Sequence, residues 1–380
     1  MILRVPAFYD SFRCIAGNCT DSCCIGWEID IDDKSARRFA SVRGDFGDTL
    51  RQNIENGHFK LREGDRCPFL RQDGLCDMIC HLGEDSLCDI CREHPRFVEV
   101  YGDIMEKGLG LCCEEAVRHL LNANGSDTSP IAFIERETDD IPDDIPDDAR
   151  EARDAIFEER DFLFRILADH RRPLNERLVE LLDFAVETSG LDIHEQNDSA
   201  SDRPNNDPND EVDKNNIIQT NDIQHHWIEI LGKGESFGPA WDAAYKRLTQ
   251  DNEPSGTNKG THKLANAKHK PLFSDSDGEK IIAYLLYRYY AKSLFDGNSL
   301  TKVEFALYFW TTLRMFGDNL ASSTHTDSET AKIDAIKLLS KQTEYSEEIM
   351  SLFETEFMEN PSFSPLNFKR IMTKQTLYND

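Results

Sequence analysis

The chain has 380 residues, with 71 acidic against 43 basic side chains and a formal net charge of −28. A surface of that sign repels phosphate backbones, so nucleic acid is excluded as an expected partner. Apolar residues make up 39%, enough for one large domain or two, and no run of about 18 of them occurs to span a membrane.

Met1–Asp10 carries neither the charged start nor the apolar run of a signal peptide, so the expected compartment is the cytoplasm, where thiols stay reduced. All 11 cysteines lie between Cys14 and Cys113. At that density in a reduced compartment they point to metal ligation rather than disulfides. Cys14, Cys19, Cys23 and Cys24 form C-x4-C-x3-C-C, Cys67 opens Cys67-Pro68-Phe69-Leu70, and Cys76, Cys80, Cys88 and Cys91 form C-x3-C-x7-C-x2-C. Cys112 and Cys113 close the set. Short gaps let the chain turn tightly enough for two sulfurs to share a metal, and longer gaps bring ligands from elsewhere in the fold. Thiolates suit zinc and iron–sulfur clusters alike, so spacing leaves the metal open, and also leaves open one site with spare cysteines or two sites. Cys113 precedes a helix expected over Glu114–Leu121, whose unpaired N–H groups favour its thiolate. Arg92 and Arg96, beside Cys91, are candidates to donate hydrogen bonds to sulfide or a bound anion.

Residues 1–122 thus read as a cysteine-rich metal-binding module of loops and short elements, punctuated by Gly, Asp and Cys. An acidic linker is expected over 123–147, where prolines and charges resist helix and sheet. The remainder, 148–380, reads as a helical domain. Ala152, Ile156, Leu163 and Leu167 mark one helix face. Pro173 opens a second helix carrying Leu178, Leu181, Leu182, Ala185 and Val186, with Gly190 as its stop. Flexible loops are expected at 195–222 and 251–270. Between them stand short helices over His226–Leu231 and Gly238–Leu248, anchored by Trp227 and Trp241. Further helices are expected over Lys280–Phe295, over Lys302–Phe316 behind a Thr301/Glu304 capping box, and at about 328–341 and 344–358. The expected fold class is mainly α, with an irregular cysteine-rich N-terminal module packed on a helical C-terminal domain.

No G-x-G-x-x-G, Walker A, H-E-x-x-H or G-x-S-x-G motif occurs, nor does the C-x3-C-x2-C triplet of radical enzymes that use S-adenosylmethionine. The residues by themselves therefore indicate a metal centre without naming a reaction.

Phe12-Arg13-Cys14, Cys19-Thr20-Asp21-Ser22-Cys23-Cys24-Ile25-Gly26-Trp27, Cys67-Pro68-Phe69-Leu70, Leu75-Cys76-Asp77-Met78, Cys91-Arg92-Glu93-His94-Pro95-Arg96 and Cys113-Glu114-Glu115-Ala116 resemble the bacterial flagellin lysine N-methylase family. A broader family of zinc- or iron-chelating domains shares the skeleton of this cysteine pattern. Outside the module, Tyr284-Leu285-Leu286-Tyr287-Arg288-Tyr289-Tyr290, followed by Phe295-Asp296-Gly297, and Tyr345-Ser346-Glu347-Glu348 resemble further family positions. The resemblance implies a methyltransferase acting on flagellin lysines, with S-adenosylmethionine as methyl donor and a [4Fe–4S] cluster, zinc being the alternative metal. It marks Cys14, Cys19, Cys23, Cys24, Cys67, Cys76, Cys91 and Cys113 as the family-pattern metal ligands. Cys80, Cys88 and Cys112 stand less clearly within the pattern.

Lysine must lose a proton before it can accept a methyl group, because its ordinary pKa is about 10.4. Tyr287, Tyr289 and Tyr290 are candidates to assist or to hold a cationic group by cation–π attraction, against the plainer reading that they line a helical core. The broader chelating pattern also admits a non-catalytic zinc- or iron–sulfur-binding protein with a regulatory or redox-sensing role.

Overall fold

Strand β1 (Ile2–Pro6) lies at the centre of the one four-stranded sheet among the described residues. The computed structural model describes residues 1–141, 145–190, 220–251, 271–323 and 327–374. The described chain divides into two units whose segments interleave. One takes Met1–Asn122, the segment from Phe133 that carries the last strand, and Ile336–Lys341; the other takes Ala123–Ala132 and most of the remainder.

In the first unit the sheet order is β4–β5–β1–β6, with β4 (Arg96–Tyr101), β5 (Ile104–Leu109) and β6 (Phe133–Glu137). β4 and β5 form a hairpin closed by Gly102-Asp103, where Gly102 has φ +71°, a left-handed conformation that glycine adopts without Cβ strain. β1 runs parallel to β5 with Ile2 opposite Ile104, and antiparallel to β6 with Ile2 opposite Glu137. The segment 123–147, expected to hold neither helix nor strand, thus contributes an edge strand. Its charged side chains are tolerated because most of β6 faces solvent. A second hairpin, β2 (Ile54–Glu55) with β3 (His58–Phe59), turns through Asn56-Gly57, both at positive φ. Around it lie α1 (Asp33–Ser41), α2 (Asp45–Gln52), α3 (Asp77–Leu82) and α4 (Asp89–Glu93), whereas α5 (Glu114–Leu121) packs through Ala116 against Phe12 and Leu109. Asp32 caps α1 by accepting from the Ser35 amide at 2.8 Å.

The second unit is helical. α6 (Asp147–Ala168) and α7 (Leu174–Ser189) form an antiparallel pair, and Gly190 ends α7 in the left-handed conformation at φ +70°. The buried face of α6 keeps Leu163 and Leu167 as expected, but nearer its start Arg153 and Arg160 are buried whereas Ala152 is exposed. Arg160 lies over the Phe157 and Tyr287 rings and donates to the Tyr287 carbonyl at 3.2 Å. A guanidinium can be buried when rings and a carbonyl receive it, which hydrophobic periodicity does not register.

α8 (Thr220–Leu231) and α9 (Pro239–Asp251) are longer than the expected short helices but carry the same tryptophan anchors, both buried. The expected loops at 195–222 and 251–270 fall, apart from the ends taken by α8 and α9, outside the described residues. α10 (Asp275–Tyr289) starts earlier than expected, behind a Ser274/Asp277 capping box, and breaks at Tyr290 into a 3-10 turn and the short α11 (Ser293–Asp296). α12 (Ser299–Ser323) begins before Thr301, so the Thr301/Glu304 capping box does not form; the Thr301 amide donates to Asn298 Oδ1 at 3.3 Å instead. Glu304 is buried. α12 is apolar on nearly all sides and contacts α7, α9, α10 and α14 (Glu347–Glu359), as expected of a central buried helix. A Cβ at Gly278 would sit 2.6 Å from the Trp310 ring, so glycine there lets α10 and α12 approach closely. α13 (Ser328–Glu344) and α14 follow close to the expected bounds, and α15 (Pro365–Lys374) is an addition that the sequence did not announce. No described helix is long and apolar enough to cross a membrane.

Candidate metal centre

The vicinal pair Cys23-Cys24 is fixed from both sides by backbone contacts. The Trp27 indole N–H donates to the Cys23 carbonyl at 2.6 Å, and the Cys67 amide donates to the Cys24 carbonyl at 2.9 Å. Ile25 bridges Arg66, and Leu70 bridges Cys76, so short antiparallel contacts bring Cys24, Cys67 and Cys76 into one neighbourhood although 52 positions separate the outer two in sequence. These three, with Cys88 and Cys91, pack into one apolar cluster with Phe39, Phe59, Phe69 and Met78. Cys113 belongs elsewhere, against Phe12, Leu109 and Ala116.

Three of the thiols occupy the position just before a helix: Cys76 before α3, Cys88 before α4 and Cys113 before α5. Backbone N–H groups of each following turn face the sulfur and favour its thiolate. Sequence reading found this placement for Cys113 alone, and α5 has the bounds it expected.

Burial opposes ionisation at most of these sulfurs. It pushes Cys19 up to about 11 and Cys67 up to about 12, and it raises Cys76 and Cys113 despite their backbone donors. Two thiol–thiol hydrogen bonds work the other way. Cys23 donates to Cys24 and Cys91 donates to Cys88; each acceptor is lowered to about 7 and each donor is raised. The Ser22 hydroxyl and the Arg66 charge further favour the Cys24 thiolate.

The electrostatic neighbours follow the same division. Cys23 is acted on by Cys14 and Cys113, and Cys19 by Cys113. Cys67 is acted on by Cys24 and Cys76, and Cys91 by Cys24 and Cys67. The eight family-pattern cysteines therefore fall into two groups, Cys14/Cys19/Cys23/Cys113 and Cys24/Cys67/Cys76/Cys91, which meet at the vicinal pair. Cys88 joins the second through Cys91. Cys80 is exposed near Cys76, and Cys112 is buried.

Glu114 ties the first group together, a role the sequence reading missed. Its Oε2 accepts from the Thr20 amide at 2.9 Å, the Thr20 hydroxyl at 2.6 Å and the Cys19 thiol at 3.6 Å. The signal was its place directly after Cys113 in a quoted motif.

All eleven cysteines are free thiols, and that donor chemistry fits zinc or an iron–sulfur cluster. Among the described residues, however, no three Cys, His, Asp or Glu side chains are grouped so as to hold a metal ion. Ligation therefore requires side-chain rearrangement within the groups.

The other candidates are dispersed. Arg92 is committed to Asp89 and Glu93. Arg96 lies over the Phe12 ring. Both stand in the first unit, whereas Tyr287 and Tyr289 belong to the second. Tyr287 is core, under Arg160. Tyr290 donates to Glu159 at 2.8 Å, and Tyr289 donates to Glu344 at 2.8 Å.

The chain is similar to the flagellar biosynthetic protein FliU of Salmonella muenchen, 31% identical over 127 residues that make up 31% of this chain and 75% of FliU. The chain belongs to the flagellin lysine N-methylase family. Members named lysine-N-methylase, from Salmonella typhimurium and Salmonella choleraesuis, are each 30% identical over 127 residues. That match spans about a third of their length, 32%. No family model and no solved structure matches the chain.

Proposed function

We propose that this protein is an S-adenosylmethionine-dependent protein-lysine N-methyltransferase that acts on flagellin and carries a [4Fe–4S] cluster on its cysteine module. The observation that carries the reading is the relationship to proteins named lysine-N-methylase and to a flagellar biosynthetic protein, in a chain whose thiols gather into two groups. The cluster would draw its ligands from Cys14, Cys19, Cys23, Cys24, Cys67, Cys76, Cys91 and Cys113. The first choice is Cys24, Cys67, Cys76 and Cys91, because their shared apolar surroundings shield sulfide from water. Held by all four, such a cluster would supply a structural clamp; held by only three of them, it would leave one iron free to take the amino and carboxylate groups of the methyl donor.

In the reaction the lysine nitrogen forms a bond to the donor methyl carbon, the carbon–sulfur bond breaks with its electron pair going to sulfur, and one N–H proton leaves to a base. Carboxylates supply that base and tyrosines shape the cationic reactants. The acidic surface attracts a lysine-bearing protein within about 8–10 Å at physiological salt. Two measurements test the reading. Iron and sulfide near four each per chain are expected in protein purified without oxygen, and flagellin co-expressed with the protein should gain mass in steps of one methylene. Unchanged flagellin mass overturns the activity. Zinc without sulfide replaces the cluster by a structural metal.

A further inference from the structure

Within the helical unit, α10, α11, α12 and α14 and the end of α13 surround a cavity of about 370 Å³, the size of a small-ligand pocket. Its lining combines aromatic rings, among them Tyr289, Phe305 and Phe353, with four carboxylates and three cationic side chains. Most of that charge is already satisfied. Lys302 pairs with Asp296 at 2.7 Å and Glu354 at 2.5 Å. Arg288 and the Tyr289 hydroxyl both donate to Oε2 of Glu344 at 2.8 Å. What remains is Oε1 of Glu344, on a side chain with no exposed surface, which has no hydrogen-bond partner. A buried carboxylate oxygen left without a donor is costly, and a ligand that supplies one relieves that cost. Glu347, exposed at the first turn of α14, adds negative charge at the cavity.

We propose that this cavity binds an organic cation, an ammonium or sulfonium head on an aliphatic stem, with Glu344 as its counter-ion and the rings as its walls. An anion would meet the negative charge of Glu344 and Glu347, and a neutral apolar ligand would leave the unpartnered Glu344 oxygen unsatisfied. The wall includes Arg288, Tyr289, Tyr345 and Glu347, which belong to the two stretches outside the cysteine module that resemble family positions. The inference rests on the methylase reading for its meaning, since both reactants of lysine methylation carry such a head: the lysine ammonium and the donor sulfonium.

Calorimetry on the full-length protein tests it with two separate probes, S-adenosylmethionine and the amide of Nα-acetyl-trimethyllysine. Saturable binding of either is expected, and which one binds identifies the source of the cation. Glu344→Gln turns an acceptor toward the cation into a donor and should weaken binding at least about tenfold. Glu347→Gln, at an exposed position that does not endanger folding, should weaken it by about two- to fivefold. Binding of neither probe, or unchanged affinity in the folded variants, overturns the proposal; if Glu344→Gln fails to fold, Glu347→Gln decides alone. Cation binding with unmodified flagellin leaves the cavity assignment standing and removes the methylase reading. Methylated flagellin with affinity indifferent to both variants does the reverse.

Discussion

Replacing Glu114 by alanine should loosen the loop that carries Cys19, Cys23 and Cys24. The carboxylate is 5% exposed and accepts three hydrogen bonds, from the Thr20 amide, the Thr20 hydroxyl and the Cys19 thiol. Bonds to an ionised acceptor are worth about 1.5–3 kcal/mol each when their donors are otherwise left unsatisfied. Water reaches the half-buried Thr20, and the thiol bond is weak, so the local loss comes to about 3 kcal/mol. That corresponds to about a hundredfold rise in the open population of the loop. Burial works to raise the Glu114 carboxyl, but the Thr20 bonds prevail and hold it below its ordinary range. The stability it confers is therefore present above the unfolded carboxyl pKa and is lost as pH falls through the lower folded value. The assay is the alkylation rate of Cys19 in metal-free protein at neutral pH, followed by peptide mass spectrometry. Glu114→Ala should accelerate it by up to about a hundredfold, and Glu114→Gln, which keeps an acceptor, by no more than about tenfold. Equal Cys19 reactivity in wild type and Glu114→Ala would refute the role given to this carboxylate.

In the helical unit, Arg177 and Glu279 form a buried ion pair at 2.6 Å. Glu279→Ala should cost about 3–5 kcal/mol by stranding the guanidinium, and Arg177→Met in the same chain should recover part of it, read by thermal unfolding. Burial, helped by the Lys341 charge, lowers His94 to about 4. The unfolded imidazole binds its proton near 6.5, so native stability should fall as pH drops from about 6.5 to 4 and level off below; His94→Gln should flatten that part of the pH–stability curve. Zinc affinity of the metal-free protein should drop steeply with falling pH, because Cys19, Cys67, Cys76 and Cys113 are raised by burial and must lose protons on ligation. An affinity unchanged between pH 8 and pH 6 would count against thiolate ligation, and proton release on zinc addition offers a second readout.

The sequence by itself determined what depends on near neighbours. The helix after Cys113, the stop at Gly190 and the helical character of the C-terminal two thirds are set by apolar spacing and by glycine and capping residues within a few positions. The cysteine pattern likewise marked out the thiols of the first unit as candidate ligands. It did not divide them, because the division rests on contacts such as the Cys67 amide on the Cys24 carbonyl and the Leu70–Cys76 bridge, which join residues whose separation carries no periodic signal.

Only the tertiary structure decided the rest. The edge strand β6 exists because β1, more than a hundred residues earlier, offers it a partner. The start of α12 moved from Lys302 to Ser299 because Asn298 was available as an acceptor. Arg160 went inward because Tyr287, from another helix, supplied a ring and a carbonyl. The open oxygen of Glu344 arises in the same way, from α10 meeting the end of α13. Strand pairing, buried charge and cavities are properties of distant segments brought together, and the free energy that selects them appears only when both partners are present.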